Sequence, residues 1–232
     1  GDIILTDNNF ASVVKGVELG RTFMHNIMMF LEFQLPINIS LLIMSMVYPV
    51  VSGGSPFLAA VQILIINIIM DSLNSLSFGG EPPKEEYMKE KPLRKGSGLF
   101  INGAMARILS TTAMFILIFG VIIFGFDNVF TTDVSAMTAR FAALCIMAVF
   151  NGFLIRTDSI NLFKGIGKNK LFIYIAIGIF VMTFLLCNVV GGFVQTTALS
   201  LYQWGIVFGL PFCIVIGTLV ARLIEKTMIN KK

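Results

Sequence analysis

The sequence predicts an all-α membrane protein, a bundle of six transmembrane helices with a short cytoplasmic stalk in front of it. Three observations predict this class. The chain is 56% hydrophobic and only 13% charged, with a mean hydropathy of +0.87, which is typical of proteins that cross a bilayer several times. Apolar runs of about the length of a membrane span recur along it, separated by polar or charged turns. No segment has the pattern of a strand-rich domain.

The stalk and the first span come first. Residues 1–26 mix acids, bases and apolar residues and predict a cytoplasmic segment that feeds a helix into the membrane, at about Ile27–Val51. Pro36 lies in that span and should kink it just before Asn38, because proline lacks the N–H of a helical hydrogen bond. A helix broken at membrane depth usually lines a cavity. Asn38 is therefore either a site residue or a hydrogen-bonding residue between helices.

Five more spans follow, each near the 20 residues that a helix needs to cross a bilayer. The second begins at Pro56, after an uncharged turn, and ends at Phe78. The charged segment after it, EPPKEEYMKEKPLRKGSGLF, is predicted to be a loop because of its prolines and glycines. The last four spans are predicted at about Ala104–Phe126, Ala136–Ile155, Leu171–Val190 and Tyr202–Ile224. The six-helix domain thus covers residues 27–224, and residues 225–232 form a cytoplasmic tail.

The basic residues predict the orientation of the bundle. With the N-terminus inside, all but one of the 17 lysines and arginines fall in the cytoplasmic segments or at the helix ends beside them. The exception, Arg140, falls at the opposite face. Because cytoplasmic loops carry an excess of lysine and arginine, both termini are predicted to be cytoplasmic.

Other features of the sequence argue against several functional classes. The bases lie in short clusters between apolar runs, and no RNA- or DNA-binding motif accompanies them. Cys145, Cys187 and Cys213 all lie inside apolar runs, so they predict buried small side chains and neither a disulfide framework nor a metal site. The chain opens without a signal peptide, and it does not open like a natural N-terminus, which indicates a fragment.

The most informative stretch is 63–78, ILIINIIMDSLNSLSF, where Asp71 lies deep in an apolar run. An acid near the bilayer midplane costs roughly 2.5–3.5 kcal/mol on insertion scales, so its presence needs a reason. Asn67 precedes it by four residues, which places both on one helical face. Carboxylate and amide oxygens are ligands of hard cations, so this candidate pair, Asn67 and Asp71, predicts a cation site. The alternative is a protonated Asp71 that hydrogen-bonds a neighbouring helix.

Several segments resemble P-type ATPases. The run Asp2–Arg21, DIILTDNNFASVVKGVELGR, is similar to the end of that family's phosphorylation domain, where it joins the fifth membrane helix. The motifs FLEFQLPIN at 30–38, INIIMD at 66–71 and EPP at 81–83 resemble the plasma-membrane-type calcium pumps. Their order and spacing match the last six helices of such pumps, so the resemblance covers essentially the whole chain.

The resemblance implies roles for named residues. Asn67 and Asp71 match calcium ligands of the sixth helix, and Asn38 matches a fifth-helix asparagine beside the ion. The positions where two-ion pumps supply further oxygen ligands hold Leu41, Met70 and Ala148. These three departures point to a pump with a single calcium site.

The resemblance also implies what this chain leaves to other parts of a pump. The family motifs DKTGT, TGES and PEGLP do not occur in it, so no catalytic residue is expected here. ATP and magnesium would act only through the missing actuator, nucleotide-binding and phosphorylation domains, which come with the first four helices. Further expected partners are bilayer lipid, including anionic lipid at the basic clusters. The tail after Ile224 is too short for a calmodulin-binding helix.

Three questions stay open at this stage. One is the ion, since a P-type pump for sodium, potassium or protons is an alternative to a calcium pump. Another is whether the chain belongs to a pump at all, since a non-catalytic truncated membrane module would share its composition. The third is the membrane, which is either the plasma membrane or an internal calcium-store or vacuolar membrane.

Overall fold

A computed structural model describes residues 10–90, 103–157, 159–163 and 165–229, without the side chains of residues 70–75, 166, 225, 226, 228 and 229. All regular structure in these residues is helical, so the predicted all-α class is confirmed. Five helices are long and apolar enough to cross a membrane. They span Phe10–Val51, Ala104–Gly125, Asp133–Arg156, Lys170–Asn188 and Leu201–Ile224.

The helices are numbered here in chain order. The described α-helices are α1 (Phe10–Val51), α2 (Ala60–Ile66), α3 (Ser72–Gly79), α4 (Glu85–Met88), α5 (Ala104–Gly120), α6 (Asp133–Arg156), α7 (Lys170–Asn188), α8 (Gly191–Val194) and α9 (Leu201–Ile229). Two π-helical segments, Asn67–Asp71 and Val121–Gly125, extend α2 and α5, and a 3-10 turn at Ile166–Lys168 precedes α7.

From Phe10 onward, the segment predicted as stalk and the first span form one helix, while residues 1–9 lie outside the described part of the chain. α1 continues through Pro36 and Pro49 for 42 residues, about 63 Å at 1.5 Å per residue, which is twice the hydrocarbon thickness of a bilayer. The helix therefore continues through Pro36, because the backbone hydrogen bonds of the neighbouring turns maintain it. The apolar side chains of its first part are exposed: Val13, Val14, Val17 and Phe23.

The second predicted span is an interrupted helix. The prediction that it begins at Pro56 was wrong: α2 begins at Ala60, and Phe57 and Leu58 are buried ahead of it in non-helical conformation. The π-helical segment Asn67–Asp71 then joins α2 to α3. Neither α2 nor α3 alone has the length of a span, so helix length supports five crossing helices and does not establish the predicted sixth.

The charged segment after the second span is not entirely a loop. Residues Glu85–Met88 form the short helix α4, and two glutamates in its first turn interact favourably with the helix dipole. Residues 91–102 of this segment lie outside the described part of the chain. α6 begins three residues before its predicted start, since the Thr132 side chain accepts a hydrogen bond from the Ser135 N–H at 3.1 Å and caps it.

α6 is the central helix of the bundle. It packs against α1, α7 and α9, and 83% of its apolar stretch is buried, against 28% for α5, α7 and α9.

One prediction about the cysteines was wrong, because each of these outer helices leaves one side exposed. Cys145 and Cys187 are buried as predicted, whereas Cys213 is exposed on α9. An apolar run predicts insertion into lipid, but it does not say which side of the helix meets protein.

Candidate cation site

Asn67 and Asp71, the candidate pair, are the first and last residues of a π-helical segment. Sequence analysis placed them four residues apart on an α-helix. In a π-helix the hydrogen bonds run from i to i+5, so each turn holds more residues, and such turns occur frequently at functional sites. The backbone is therefore irregular at the predicted site. The side chain of Asp71 lies outside the described part of the structure.

The other predicted ligands differ in exposure. Asn67 is half-buried, whereas Asn38 is exposed on α1. In the described part of the chain, no group of three or more His, Cys, Asp and Glu side chains could hold a metal ion.

Two of the three positions that lack oxygen ligands lie in the interior of the bundle. Leu41 on α1 and Ala148 on α6 are both buried in the hydrophobic core, whereas the side chain of Met70 lies outside the described part of the structure. Polar side chains do occur nearby in sequence: Ser40 is buried and donates a hydrogen bond to the Ile37 carbonyl at 3.0 Å. Asn151 on α6 is 3% exposed, and its Nδ2 has no hydrogen-bond partner. All of these groups are neutral.

A set of contacts holds α1 against the segment that follows α3; we call it the α1–α4 contact. The Arg21 guanidinium donates to the carbonyls of Tyr87 at 2.6 Å and Glu90 at 2.9 Å. The His25 ring stacks on Tyr87 with 3.8 Å between centroids, and its Nε2 lies 3.0 Å from Glu90 Oε2. Asn26 donates to the carbonyl of Glu81 at 3.2 Å. No local sequence pattern predicts this contact, because its partners are more than 50 residues apart.

A second, buried cluster joins α3, α6 and α7 at the same end of the bundle. Asn169 donates to the Ser77 carbonyl at 2.8 Å and to Glu81 Oε1 at 3.0 Å. Arg156 forms an ion pair with that carboxylate at 3.6 Å, and both side chains are almost fully buried. Asn169 Oδ1 also accepts from the Phe172 N–H at 3.1 Å, which caps α7. The cluster anchors the helix that carries the candidate pair.

A polar cavity of about 370 Å³ lies at this end, between α1, α4, α5, α6 and α9. Glu32 and Arg107 line it and form a bidentate ion pair, with Nε–Oε2 at 2.9 Å and Nη2–Oε1 at 2.5 Å. Two further carboxylates, Glu86 and Glu90, line the cavity together with three basic side chains, Lys84, Arg107 and Arg156. Since bases and acids are equal in number there, the cavity does not concentrate negative charge as a cation site would.

Gln62 forms buried hydrogen bonds at the start of α2. Its side chain is fully buried, its Nε2 donates to the carbonyls of Val194 at 3.2 Å and Gln195 at 3.1 Å, and its Oε1 accepts from the Ala59 N–H at 3.2 Å. This side chain therefore joins the start of α2 to α8. A lone glutamine in an apolar run carries no sequence signal that would name these partners.

Gln62→Met should destabilise the protein by about 1–3 kcal/mol, because it leaves buried backbone groups without partners while keeping the side-chain volume. Thermal unfolding of the purified full-length protein in detergent measures the loss. Gln203→Met is the matched control: Gln203 also donates to a carbonyl, that of Val129 at 3.0 Å, but it is only half-buried. An equal loss in both variants would contradict the role given to Gln62.

Comparison with known proteins places these features in a family. The model of the family described as "Cation transporting ATPase, C-terminus" matches residues 55–224. The chain is 37% identical over 222 residues to calcium-transporting ATPase 5, plasma membrane-type, of Oryza sativa subsp. japonica, covering 91% of this chain and 20% of that protein. It is 35% identical over 207 residues to putative calcium-transporting ATPase 13, plasma membrane-type, of Arabidopsis thaliana, covering 88% and 20%.

A relative from another organism gives the same result. The chain is 34% identical over 246 residues to plasma membrane calcium-transporting ATPase mca-1 of Caenorhabditis elegans, covering 100% of this chain and 19% of that protein. It thus spans about a fifth of the length of these curated relatives. The family match includes both residues of the candidate pair and runs from Ser55, shortly before α2, to Ile224 on α9. The chain belongs to the family of cation transporting ATPase C-termini.

Proposed function

We propose that this chain is the C-terminal membrane part of an ATP-driven P-type calcium pump and supplies part of a single calcium site through Asn67, Asp71 and Asn38. The observation that carries the proposal is the π-helical segment that begins at Asn67 and ends at Asp71, in an apolar helix. The named relatives are calcium-transporting ATPases, which supports calcium as the cargo.

The chemistry of the site follows from these residue types. The Asp71 carboxylate supplies one negative charge against the two positive charges of calcium, and Asn67 supplies a neutral oxygen from the same segment. Calcium takes six to eight oxygen ligands, so the remaining ones come from backbone carbonyls and from the part of the pump that precedes this chain. The exposure of Asn38 on α1 is compatible with a site that is completed by helices outside this chain.

Coupling to ATP would run along α1. From Phe10 to Asn38 the helix is continuous, a distance of about 42 Å at 1.5 Å per residue. A displacement of its N-terminal end by the phosphorylation domain would therefore reach Asn38 without an intervening hinge loop. The α1–α4 contact gives a second route, because it joins the same helix to the segment directly after α3. ATP and magnesium would act only on the domains that precede this chain.

The orientation in the membrane follows from the distribution of charge. The basic segments at the α4 end would face the cytoplasm and contact anionic lipid, with both termini on that side. The membrane is the plasma membrane or an internal calcium-store or vacuolar membrane. The relatives are named as plasma-membrane types, which favours the first.

Stoichiometry tests the single-site part of the proposal. We expect one calcium ion per phosphorylation site, with a Hill coefficient for calcium activation near one, because Leu41 and Ala148 are buried apolar residues. A second dication without a second carboxylate would leave most of its charge uncompensated in low dielectric. Equilibrium binding of radioactive calcium to the purified full-length pump is the measurement. Two ions per phosphorylation site would show that the missing helices complete a second site.

The same preparation tests the identity of the ion. ATP hydrolysis should require calcium, and sodium or potassium should not replace it. Hydrolysis that is activated by sodium or potassium in a calcium chelator would contradict the calcium assignment and favour a pump for a monovalent cation.

A further inference from the structure

Arg140 is a buried cation near the end of the bundle opposite to α4. Its side chain is 2% exposed, on the central helix α6. The guanidinium lies over the Tyr48 ring, with 4.3 Å from Cζ to the centroid, and 5.5 Å from the centroid of Phe57. Its Nε is buried with no hydrogen-bond partner. Sequence analysis noted this residue only as an exception to the charge distribution.

This cation differs from Arg156, the other buried arginine among the described residues. Arg156 forms an ion pair with Glu81, whereas among the described residues no carboxylate lies within ion-pair distance of Arg140. Arginine stays charged at every pH that proteins experience, and aromatic faces compensate only part of the desolvation of a charge. A charged side chain inside a membrane domain is by default a functional residue.

The position of Arg140 relative to the candidate site suggests its effect. Tyr48, which the guanidinium contacts, lies ten residues beyond Asn38 on α1, about 15 Å farther along the helix axis. Phe57, the second ring, lies just before the helix that carries Asn67 and Asp71. An ion that leaves the site toward this end therefore approaches a fixed positive charge in a region of low dielectric.

We propose that Arg140 is an electrostatic barrier at the non-cytoplasmic end of the transport domain, and that its charge weakens the binding of calcium from that side. The inference rests on the proposed function, because it concerns the path of the transported ion. Arginines in transport pathways exclude cations in this way, through charge and not through contact. Arg140 is thus a positioning and selectivity element and is not a calcium ligand.

The test compares charge-removing and charge-keeping variants of the full-length pump in sealed vesicles. Calcium is loaded at set concentrations on the non-cytoplasmic side, and the concentration that halves ATP hydrolysis is measured. Arg140→Gln and Arg140→Met should lower that concentration about tenfold, on the order of the Coulomb repulsion between a unit charge and a dication at an intermediate dielectric constant. Arg140→Lys, which keeps the charge, should behave like the wild type. The cytoplasmic calcium concentration for half-activation should change less.

Each outcome decides between a charge effect and simple packing. If Arg140→Lys changes calcium inhibition as much as Arg140→Gln, Arg140 acts through packing and the inference is wrong. If no variant changes calcium inhibition, the charge of Arg140 does not affect it and the inference is wrong as well. If Arg140→Gln does not fold, the comparison of Arg140→Met with Arg140→Lys decides in the same way. A wild-type pump without calcium-dependent hydrolysis would overturn the proposed function and this inference together, whereas an active wild type with unresponsive variants overturns the inference alone.

Discussion

Asp71→Asn in the full-length pump is expected to abolish calcium-dependent phosphorylation from ATP while it leaves expression and membrane insertion intact. The substitution removes the carboxylate that opposes the charge of the dication, and almost nothing else, since the two side chains are nearly isosteric. Glu32, an acid on the membrane helix α1, already forms an ion pair with Arg107. Phosphoenzyme formed from radioactive ATP, measured over a range of calcium concentrations, is the readout.

A matched substitution separates the loss of a ligand from a general loss of charge. Asp127→Asn makes the same chemical change at an exposed turn after α5, and it should leave phosphorylation unchanged. Asn67→Ala should weaken calcium affinity without abolishing the reaction, because it removes one neutral oxygen. Near-normal calcium-activated phosphoenzyme in Asp71→Asn would show that the candidate pair is not the calcium site and would favour a protonated, hydrogen-bonding Asp71.

Glu81→Gln is expected to destabilise the protein by roughly 3–5 kcal/mol, the usual cost of removing one partner from a buried ion pair. The carboxylate is almost fully buried beside Arg156, and it also accepts a hydrogen bond from Asn169. The glutamine keeps the shape but leaves the guanidinium without the opposite charge. The temperature at which half of the purified full-length protein unfolds in detergent is the measurement.

Glu90→Gln is the control for this prediction. It removes the same charge from the exposed pair with His25, in which the glutamate is 44% exposed, so the loss should stay below about 1 kcal/mol. Comparable losses in the two variants would mean that burial does not distinguish the pairs and that the cluster around Glu81 does not anchor α3.

The positions of the membrane helices follow from local sequence properties. Length and apolar composition predicted α5, α6, α7 and α9 to within a few residues at most ends, because a span must be apolar over about 20 residues whatever its neighbours are. The same reasoning singled out Asp71, because an acid in an apolar membrane span is costly and therefore predicts a functional role. It did not predict the π-helical segment, since an apolar run favours any backbone that satisfies its own hydrogen bonds in lipid.

The assignment of helix faces required the tertiary structure. In a helix that is apolar all round, the sequence carries no periodic signal for the side that meets protein, and so Cys213 is exposed and Arg140 is buried, contrary to the simplest expectation for each. The partners of Arg21, His25 and Glu81 were equally unpredictable, because they are brought together over more than 50 residues.

The sequence by itself therefore determined the class of the protein and its apolar segments, and it predicted a cation site at Asn67 and Asp71, since each depends on composition or on spacing within one helix. Only the tertiary structure decided where the second span is interrupted, which charges are paired and which helix is central. Those features depend on packing between distant segments: a carboxylate such as Glu81 is stable in the interior because Arg156 and Asn169 converge on it from two other parts of the chain.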